Sequence, residues 1–188
     1  MLHELFLYAI AALIKYEKYE GVAYLLRHQY YVEQKLHHGN DPMMPFYEFR
    51  LYLKSLEYRK KRLELSRTSL HADLIKSRSE TSGFTFQQIM QADFLLYIRW
   101  CLDDLRNSSD KYYHDFWWPE TLIFSSRQYG PFEIFARCQS TQYFERLKKA
   151  FDIEKKDELI SIIQAISEKT LWYPNGISIG LIHRRLWD

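Results

Sequence analysis

Residues 112–151, with the sequence YYHDFWWPETLIFSSRQYGPFEIFARCQSTQYFERLKKAF, carry the densest group of aromatic side chains in the chain. A large ring buries roughly 150–250 Å² when it packs, so these rings are expected to enter a core. Pro119 and Pro131 can each open a helix without losing a hydrogen bond, and Gly130 gives the backbone freedom to turn. The segment therefore predicts short helices separated by tight corners. The rings are those of Trp117, Trp118, Phe124, Phe132, Phe135, Tyr143 and Phe144.

Composition outside this segment predicts a helical globular protein. Among the 188 residues, 47% are hydrophobic and 27% are charged, which excludes both a disordered chain and one built for a bilayer. Only 6 Gly and 5 Pro leave few positions for hairpin turns. We expect an all-α fold, a compact bundle of roughly six to eight helices. One domain over residues 1–188 is favoured, with a subdivision into 1–80 and 81–188 as the alternative.

The cysteine content and the length of the apolar run indicate where in the cell the protein is located. Cys101 and Cys138 have neither a second Cys nor a His at metal-ligand spacing, which favours a reduced, cytoplasmic protein without a metal or cofactor. The apolar run from Leu5 to Ile14 is about half the length that spans a bilayer. We expect residues 2–18 to form the central helix of the bundle rather than a membrane anchor. His37 and His38 are expected to lie in a solvated loop.

Residues 46–74 show helical spacing and are expected to form one long helix, or two with a kink. This region contains a basic run that acidic residues flank, so a solvated helix face is favoured over a nucleic-acid contact. The basic run consists of Arg59, Lys60, Lys61 and Arg62.

The clearest local signal is a capping box. Thr85 followed three residues later by Gln88 predicts that a helix begins at Thr85 and continues to about Arg106. Farther along, apolar residues at helical spacing predict one more amphipathic helix. They are Leu159, Ile162, Ile163 and Ile166. A turn over residues 172–176 and a last short helix from Ser178 are expected to follow.

Two groups of residues suggest chemistry. Arg106 and His114 are similar to the Arg/His pair of helical HEPN ribonucleases, although the seven residues between them exceed that family's spacing. An Arg and a His together can stabilise a phosphorane and move a proton. Asp93, Asp103 and Asp104 could share a cation, but a solvated helix face is favoured for them.

Three segments resemble helical regions that accompany effector modules in bacterial antiviral defence proteins. They are Gln87–Leu96, Trp118–Leu122 and Pro131–Arg137. The resemblance implies a non-catalytic region that senses, oligomerises or docks, with catalysis in another domain or chain. It transfers no site residue.

Aromatic content points to a partner surface. The 15 Tyr, 12 Phe and 5 Trp exceed the number that the core stripes accommodate. A tyrosine adds contact area at an interface while its hydroxyl stays in water. We therefore expect a protein partner or homo-oligomer, with Tyr16, Tyr19, Tyr112 and Tyr113 as interface candidates. The function we expect is an interaction or sensor module, and a nucleic-acid-processing helical protein is the alternative.

Overall fold

The computed structural model describes most of the chain, and 72% of the described residues are helical while 3% are in strands. The all-α prediction is thus confirmed at the level of fold class. The described residues are 2–37, 41–49, 53–107, 117–127, 130–168 and 186.

Within these ranges the chain forms more helices than the six to eight predicted, together with two very short strands. The α-helices are α1 (Leu2–Lys15), α2 (Tyr19–Arg27), α3 (Glu33–His37), α4 (Lys54–Arg62), α5 (Leu70–Ser79), α6 (Phe86–Asn107), α7 (Glu133–Arg137), α8 (Thr141–Phe151) and α9 (Lys156–Ser167). Two 3₁₀ helices, η1 (Phe46–Phe49) and η2 (Glu120–Arg127), complete the helical elements.

A small antiparallel sheet was not predicted. Strands β1 (Tyr30–Tyr31) and β2 (Met43–Met44) pair with Tyr30 opposite Met44. The prediction of one or two helices over residues 46–74 was also wrong, because η1, α4 and α5 are separate elements. After α4, Glu64 takes a left-handed φ of 48°, which an α-helix cannot continue through.

The central helix is α6, not the helix of residues 2–18 as expected. All residues from Ile89 to Arg99 are buried, so neighbouring elements cover every side of α6 there. Helix α1 packs against α6 but leaves Leu2 and Leu5 exposed. Helix α1 is the more apolar of the two, but α6 has 22 residues against 14, and its greater length allows several elements to pack around it.

The predicted capping box at the start of α6 is confirmed. The Gln88 N–H donates to Thr85 Oγ1 at 3.2 Å, and the Thr85 N–H donates to Gln88 Oε1 at 3.1 Å. These two bonds satisfy backbone donors that the first turn of a helix leaves without helical acceptors.

The aromatic segment packs into the core as expected. Trp117, Phe132 and Phe135 are fully buried, and short helices η2, α7 and α8 follow one another. Gly130 has a φ of 87°, a left-handed conformation that glycine tolerates and other residues rarely adopt.

The hydrophobic stripe of α9 is likewise buried, which confirms that helix. Residues from before and after position 80 contribute to the same core cluster, which also includes Leu186. The predicted turn at 172–176 and the helix from Ser178 fall outside the described residues. Among the helices of the described ranges, none combines the length and apolar character needed to cross a bilayer.

Candidate functional site

A groove of about 540 Å³ opens between α2 and the C-terminal part of α8. Four of its lining residues come from α2 at spacings of three, one and three, so they share one side of that helix, and a fifth, His28, directly follows it. The adjoining side of α2 carries the apolar residues that enter the core, and Ala23 lies where the two sides meet. The groove is lined by Glu20, Ala23, Tyr24, Arg27, His28 and Lys149.

The walls of the groove differ in chemistry. On one wall the Tyr24 and His28 rings stack with centroids 5.7 Å apart, and the Tyr24 residue is 67% exposed. On the other wall, Lys149 Nζ donates to Glu20 Oε1 at 2.6 Å. An aromatic surface and an ion pair therefore face the same concave space.

Arg27 connects the groove to a group of charged residues centred on Asp152. Asp152 directly follows α8 in a left-handed conformation with a φ of 57°. Its carboxylate accepts a hydrogen bond from Arg27, while Arg99 Nη2 and Arg106 Nη1 each lie 3.5 Å from Oδ2. Asp152 thus joins α2, α6 and the end of α8.

The same group extends to α9. Arg99 donates to Asp103, and Arg106 Nη2 lies 3.3 Å from Glu158 Oε2. The other oxygen of Glu158 accepts the Lys155 N–H at 3.0 Å, at the start of α9. We call this set the Asp152 cluster; its members are Arg27, Arg99, Asp103, Arg106, Asp152 and Glu158.

Burial and the neighbouring positive charges shift the pKa values of the acids in the Asp152 cluster in opposite directions. Partial burial alone would raise the pKa of Asp152, but the hydrogen bond from Arg27 and the charges of Arg99 and Arg106 outweigh it and lower that pKa. For Asp103, burial is the larger effect and raises the pKa, although Arg99 opposes it. Burial also lowers the pKa of Arg99, which nevertheless stays charged.

A second buried carboxylate lies inside the core, on α6. Asp93 is fully buried and accepts hydrogen bonds from Trp117 Nε1 at 2.7 Å, from the Thr121 N–H at 2.8 Å and from Thr121 Oγ1 at 2.7 Å. Burial raises the pKa of Asp93 to about 7, and the three donors oppose that rise. Asp93 therefore anchors the start of η2 to the central helix.

The interpretation of Asp93, Asp103 and Asp104 as a solvated face or a shared cation site is wrong for Asp93. Its carboxylate points into the core, whereas Asp104 is exposed on the same helix. Asp103 binds Arg99 instead. Across the described residues, no group of three or more His, Cys, Asp or Glu side chains is arranged to hold a metal ion.

Of the Arg/His pair, only Arg106 lies within the described residues; His114 lies outside them. Arg106 is already engaged, because it donates to the Asp152 carbonyl at 2.5 Å and to Glu158. The catalytic pairing of Arg106 with His114 stays a prediction.

The basic run lies on α4, a helix without a buried residue. Arg59, Lys61 and Arg62 are exposed and Lys60 is half-buried, with its Nζ donating to the Thr68 carbonyl at 3.3 Å. This exposure is compatible with both the solvated face and the phosphate contact that the sequence left open.

The four interface tyrosines do not share one environment. Tyr16 is exposed, whereas Tyr19 is only 2% exposed and its hydroxyl is hydrogen bonded to that of Tyr143. The expectation that Tyr19 lies at an interface is therefore wrong, because its ring faces α8 rather than solvent. Tyr112 and Tyr113 lie outside the described residues.

Both cysteines are free and buried, and burial raises the pKa of each thiol to about 12. Thiolate is the reactive form of cysteine, so neither thiol is activated at neutral pH.

Sequence reasoning missed the groove and most of the Asp152 cluster. The spacing of four residues between Arg99 and Asp103 was a usable signal for one ion pair. Arg27 lies 125 residues from Asp152, and no local pattern connects them. Glu133 and Arg137, also four residues apart, form an ion pair at 3.3 Å.

Comparison of this chain with protein-family models, curated proteins and solved structures yields no match. Its function is therefore inferred from the geometry of the groove and of the exposed surfaces.

Proposed function

We propose that this chain is a non-catalytic interaction or sensor module that binds a short protein segment in the groove between α2 and α8. The observation that carries the proposal is the exposed Tyr24–His28 stack, which lines one concave surface together with the cations Arg27 and Lys149. Its volume of about 540 Å³ falls within the range of roughly 300–1,000 Å³ that is common for binding pockets.

Charge indicates the chemistry of the bound segment. Arg27 is held by Asp152, which fixes its position at the groove, whereas Lys149 binds only the highly exposed Glu20 among the contacts described. An acidic side chain of the partner can compete with Glu20 for Lys149 and gain a charge-assisted hydrogen bond. An adjacent apolar or aromatic side chain would then lie on Tyr24, because tyrosine rings supply contact area at interfaces.

Selection from a random peptide library displayed on phage tests this proposal. We expect enrichment of peptides with an acidic residue next to an aromatic one, and loss of their binding to the Tyr24→Ala variant. Tyr58→Ala is the matched control, because Tyr58 is 69% exposed on a different helix. Selected peptides that bind Tyr24→Ala as tightly as the unmodified chain would remove the groove from the proposal.

The wider part of the proposal is a cytoplasmic role beside an effector in a bacterial defence system. The two unpaired, buried cysteines support a reducing compartment. The defence role has support from the sequence resemblance over residues 87–96, 118–122 and 131–137. Deletion of the gene tests both parts together. We expect deletion to abolish phage protection, and we expect the unmodified gene, but not a Tyr24→Ala copy, to restore it.

A nucleic-acid-processing protein is the second candidate, favoured by the exposed basic side chains of α4. Phosphate contacts through Arg59, Lys60, Lys61 and Arg62 would weaken steeply between low and physiological salt. We expect only such salt-sensitive RNA binding and no cleavage. RNA cleavage that disappears in His114→Ala, with folding intact, would instead establish the ribonuclease alternative.

A further inference from the structure

The region of α4 carries an unequal share of the positive charge of the chain. Residues 54–67 contain six basic side chains and two acidic ones, whereas the rest of the chain contains 20 basic and 22 acidic side chains. A basic region thus stands in a chain whose remainder is slightly acidic. The six basic residues are Lys54, Arg59, Lys60, Lys61, Arg62 and Arg67.

The exposed side of α4 concentrates this charge. It holds four cations and one tyrosine at helical spacing, whereas the acid Glu57 is half-buried on the other side of the helix. Within the described part of the chain, none of these four cations has an ion-pair partner. The exposed side consists of Lys54, Ser55, Tyr58, Arg59, Lys61 and Arg62.

A hydrogen-bonded turn ends α4 and presents two leucines to solvent. Glu64 has a left-handed φ of 48°, and its N–H donates to the Lys61 carbonyl at 3.1 Å. The Leu65 N–H donates to the Lys60 carbonyl at 3.0 Å, which completes a Schellman motif. In that motif the residue at the position of Leu65 often packs on an apolar side chain at the position that Lys60 occupies here. Leu63 is 47% exposed and Leu65 is 36% exposed.

We infer that the end of α4 binds the surface of a membrane that contains anionic lipids. The lipid phosphates attract the exposed cations, and clusters of four to eight Lys and Arg on such a helix are typical of this contact. Leu63 and Leu65 enter the boundary between headgroups and acyl chains, and Tyr58 lies at that boundary, where tyrosine rings are common. The cytoplasmic leaflet is the one that carries the negative surface charge.

The two leucines favour a membrane over a nucleic acid. RNA offers the same phosphate charge to the cations of α4. A contact with its phosphates and sugars leaves Leu63 and Leu65 in water, however, whereas a membrane surface removes their apolar atoms from water.

The size of α4 favours a membrane over a folded protein partner. A helix of nine residues presents a face about 13 Å long and about 10 Å wide, on the order of 130 Å², against roughly 800 Å² per partner in a standard protein interface. Binding to a charged membrane does not need such an area, because each cation near the surface adds its own attraction. The inference concerns a different helix from the groove and does not depend on peptide binding there.

Cosedimentation with lipid vesicles tests the inference. We expect the chain to bind vesicles of phosphatidylcholine with about 30% phosphatidylglycerol at least about tenfold more tightly than vesicles of phosphatidylcholine alone. Equal binding to the two kinds of vesicle, or no binding to either, overturns the inference.

A pair of charge-removing variants locates the contact on α4. Each basic side chain near an anionic surface strengthens binding about fivefold, so Arg59→Gln combined with Arg62→Gln should weaken binding to the anionic vesicles about thirtyfold. Lys18→Gln combined with Lys155→Gln is the matched control, because it removes the same charge from two exposed positions outside α4. Equal losses in the two double variants would mean that net charge, not α4, directs binding, and would contradict the inference.

A leucine variant distinguishes lipid from RNA. Leu63→Asn combined with Leu65→Asn should weaken vesicle binding about tenfold, because less apolar surface leaves water. It should leave the salt-sensitive binding of a single-stranded RNA of about 20 nucleotides unchanged, which also shows that α4 keeps its structure.

Leu5→Asn combined with Leu36→Asn is the matched control for the leucines, since these residues are 58% and 54% exposed on other helices. We expect this control to bind vesicles as the unmodified chain does. Vesicle binding that the Leu63 and Leu65 changes do not weaken would mean that phosphate charge alone is recognised, and the assignment to a membrane would fail.

Discussion

Asp93 and Asp152 both join distant segments of the chain, yet their surroundings shift their pKa values in opposite directions. Asp93 is enclosed in the core and bonded by uncharged donors of Trp117 and Thr121. Asp152 lies at the rim of the groove and faces three guanidinium groups. Burial raises the pKa of Asp93 to about 7, whereas the arginines lower that of Asp152.

This difference shows that hydrogen bonds alone do not determine the ionisation of a carboxylate. Neutral donors compensate only part of the hydration that Asp93 loses in the core. Around Asp152, full positive charges replace that hydration and exceed the cost of partial burial. Asp93 is thus suited to anchoring η2, and Asp152 to holding Arg27 in place at the groove.

Removing the Asp93 carboxylate is expected to have the largest effect on stability. Asp93→Ala leaves the Trp117 and Thr121 donors buried without their acceptor, and it opens a small cavity. We expect a loss of about 3–5 kcal/mol in the free energy of unfolding. Urea denaturation measures it, with Asp104→Ala, an exposed site on the same helix, expected to change stability by less than about 0.5 kcal/mol. Similar losses for the two variants would contradict the anchoring role.

Stability should also depend on pH through Asp93. Between its ordinary pKa of 3.8 and its folded value of about 7, the folded chain holds a proton that the unfolded chain has released. Raising pH across this window therefore favours unfolding, by at most about 1.4 kcal/mol per pH unit.

The contribution of Asp93 to this pH dependence can be isolated by denaturation at several pH values between 4 and 7. The proteins compared are the unmodified chain and Asp93→Asn. The unmodified chain should lose stability relative to the variant as pH rises. Asp152 acts in a different window: because its folded pKa is lowered, its contribution is present above pH about 4 and is lost only in stronger acid. Parallel pH profiles of the two proteins would show that Asp93 keeps an ordinary pKa.

Neutralising Asp152 is expected to cost less, about 1–2 kcal/mol, because solvent already screens its rim position. Asp152→Asn is the suitable change, since Asn tolerates the left-handed backbone that this position requires. Thermal denaturation at low and high salt is the measurement, and the difference from the unmodified chain should shrink as salt rises. A difference that does not depend on salt would mean that backbone geometry, not charge, is responsible.

Of these stability changes, the one expected to be smallest comes from Thr85, and it provides a reference for the changes at Asp93 and Asp152. Thr85→Ala removes a neutral cap from α6, the helix that carries Asp93, and should cost about 1 kcal/mol. Thr85→Ser, which keeps the hydroxyl, should recover most of that loss in the same denaturation assay. If both variants match the unmodified chain, the cap contributes nothing to stability.

Sequence reasoning succeeded where a few neighbouring residues decide the structure. The start of α6 follows from Thr85 and Gln88, three residues apart, and α9 follows from its apolar spacing. It failed where packing between helices decides the structure. The helix of residues 2–18 was expected at the centre because it is apolar on nearly every side, but the sequence does not specify which helix its neighbours cover.

The sequence by itself determined the helical class, the capping box at Thr85 and the core role of the aromatic segment, because helix periodicity and capping act within a turn or two of the chain. Only the tertiary structure decided that Asp93 is buried, that Tyr19 lies inside while Tyr16 lies outside, and that Arg27 meets Asp152. Those outcomes depend on contacts between residues 24 to 125 positions apart, and burial and charge act through space rather than along the chain.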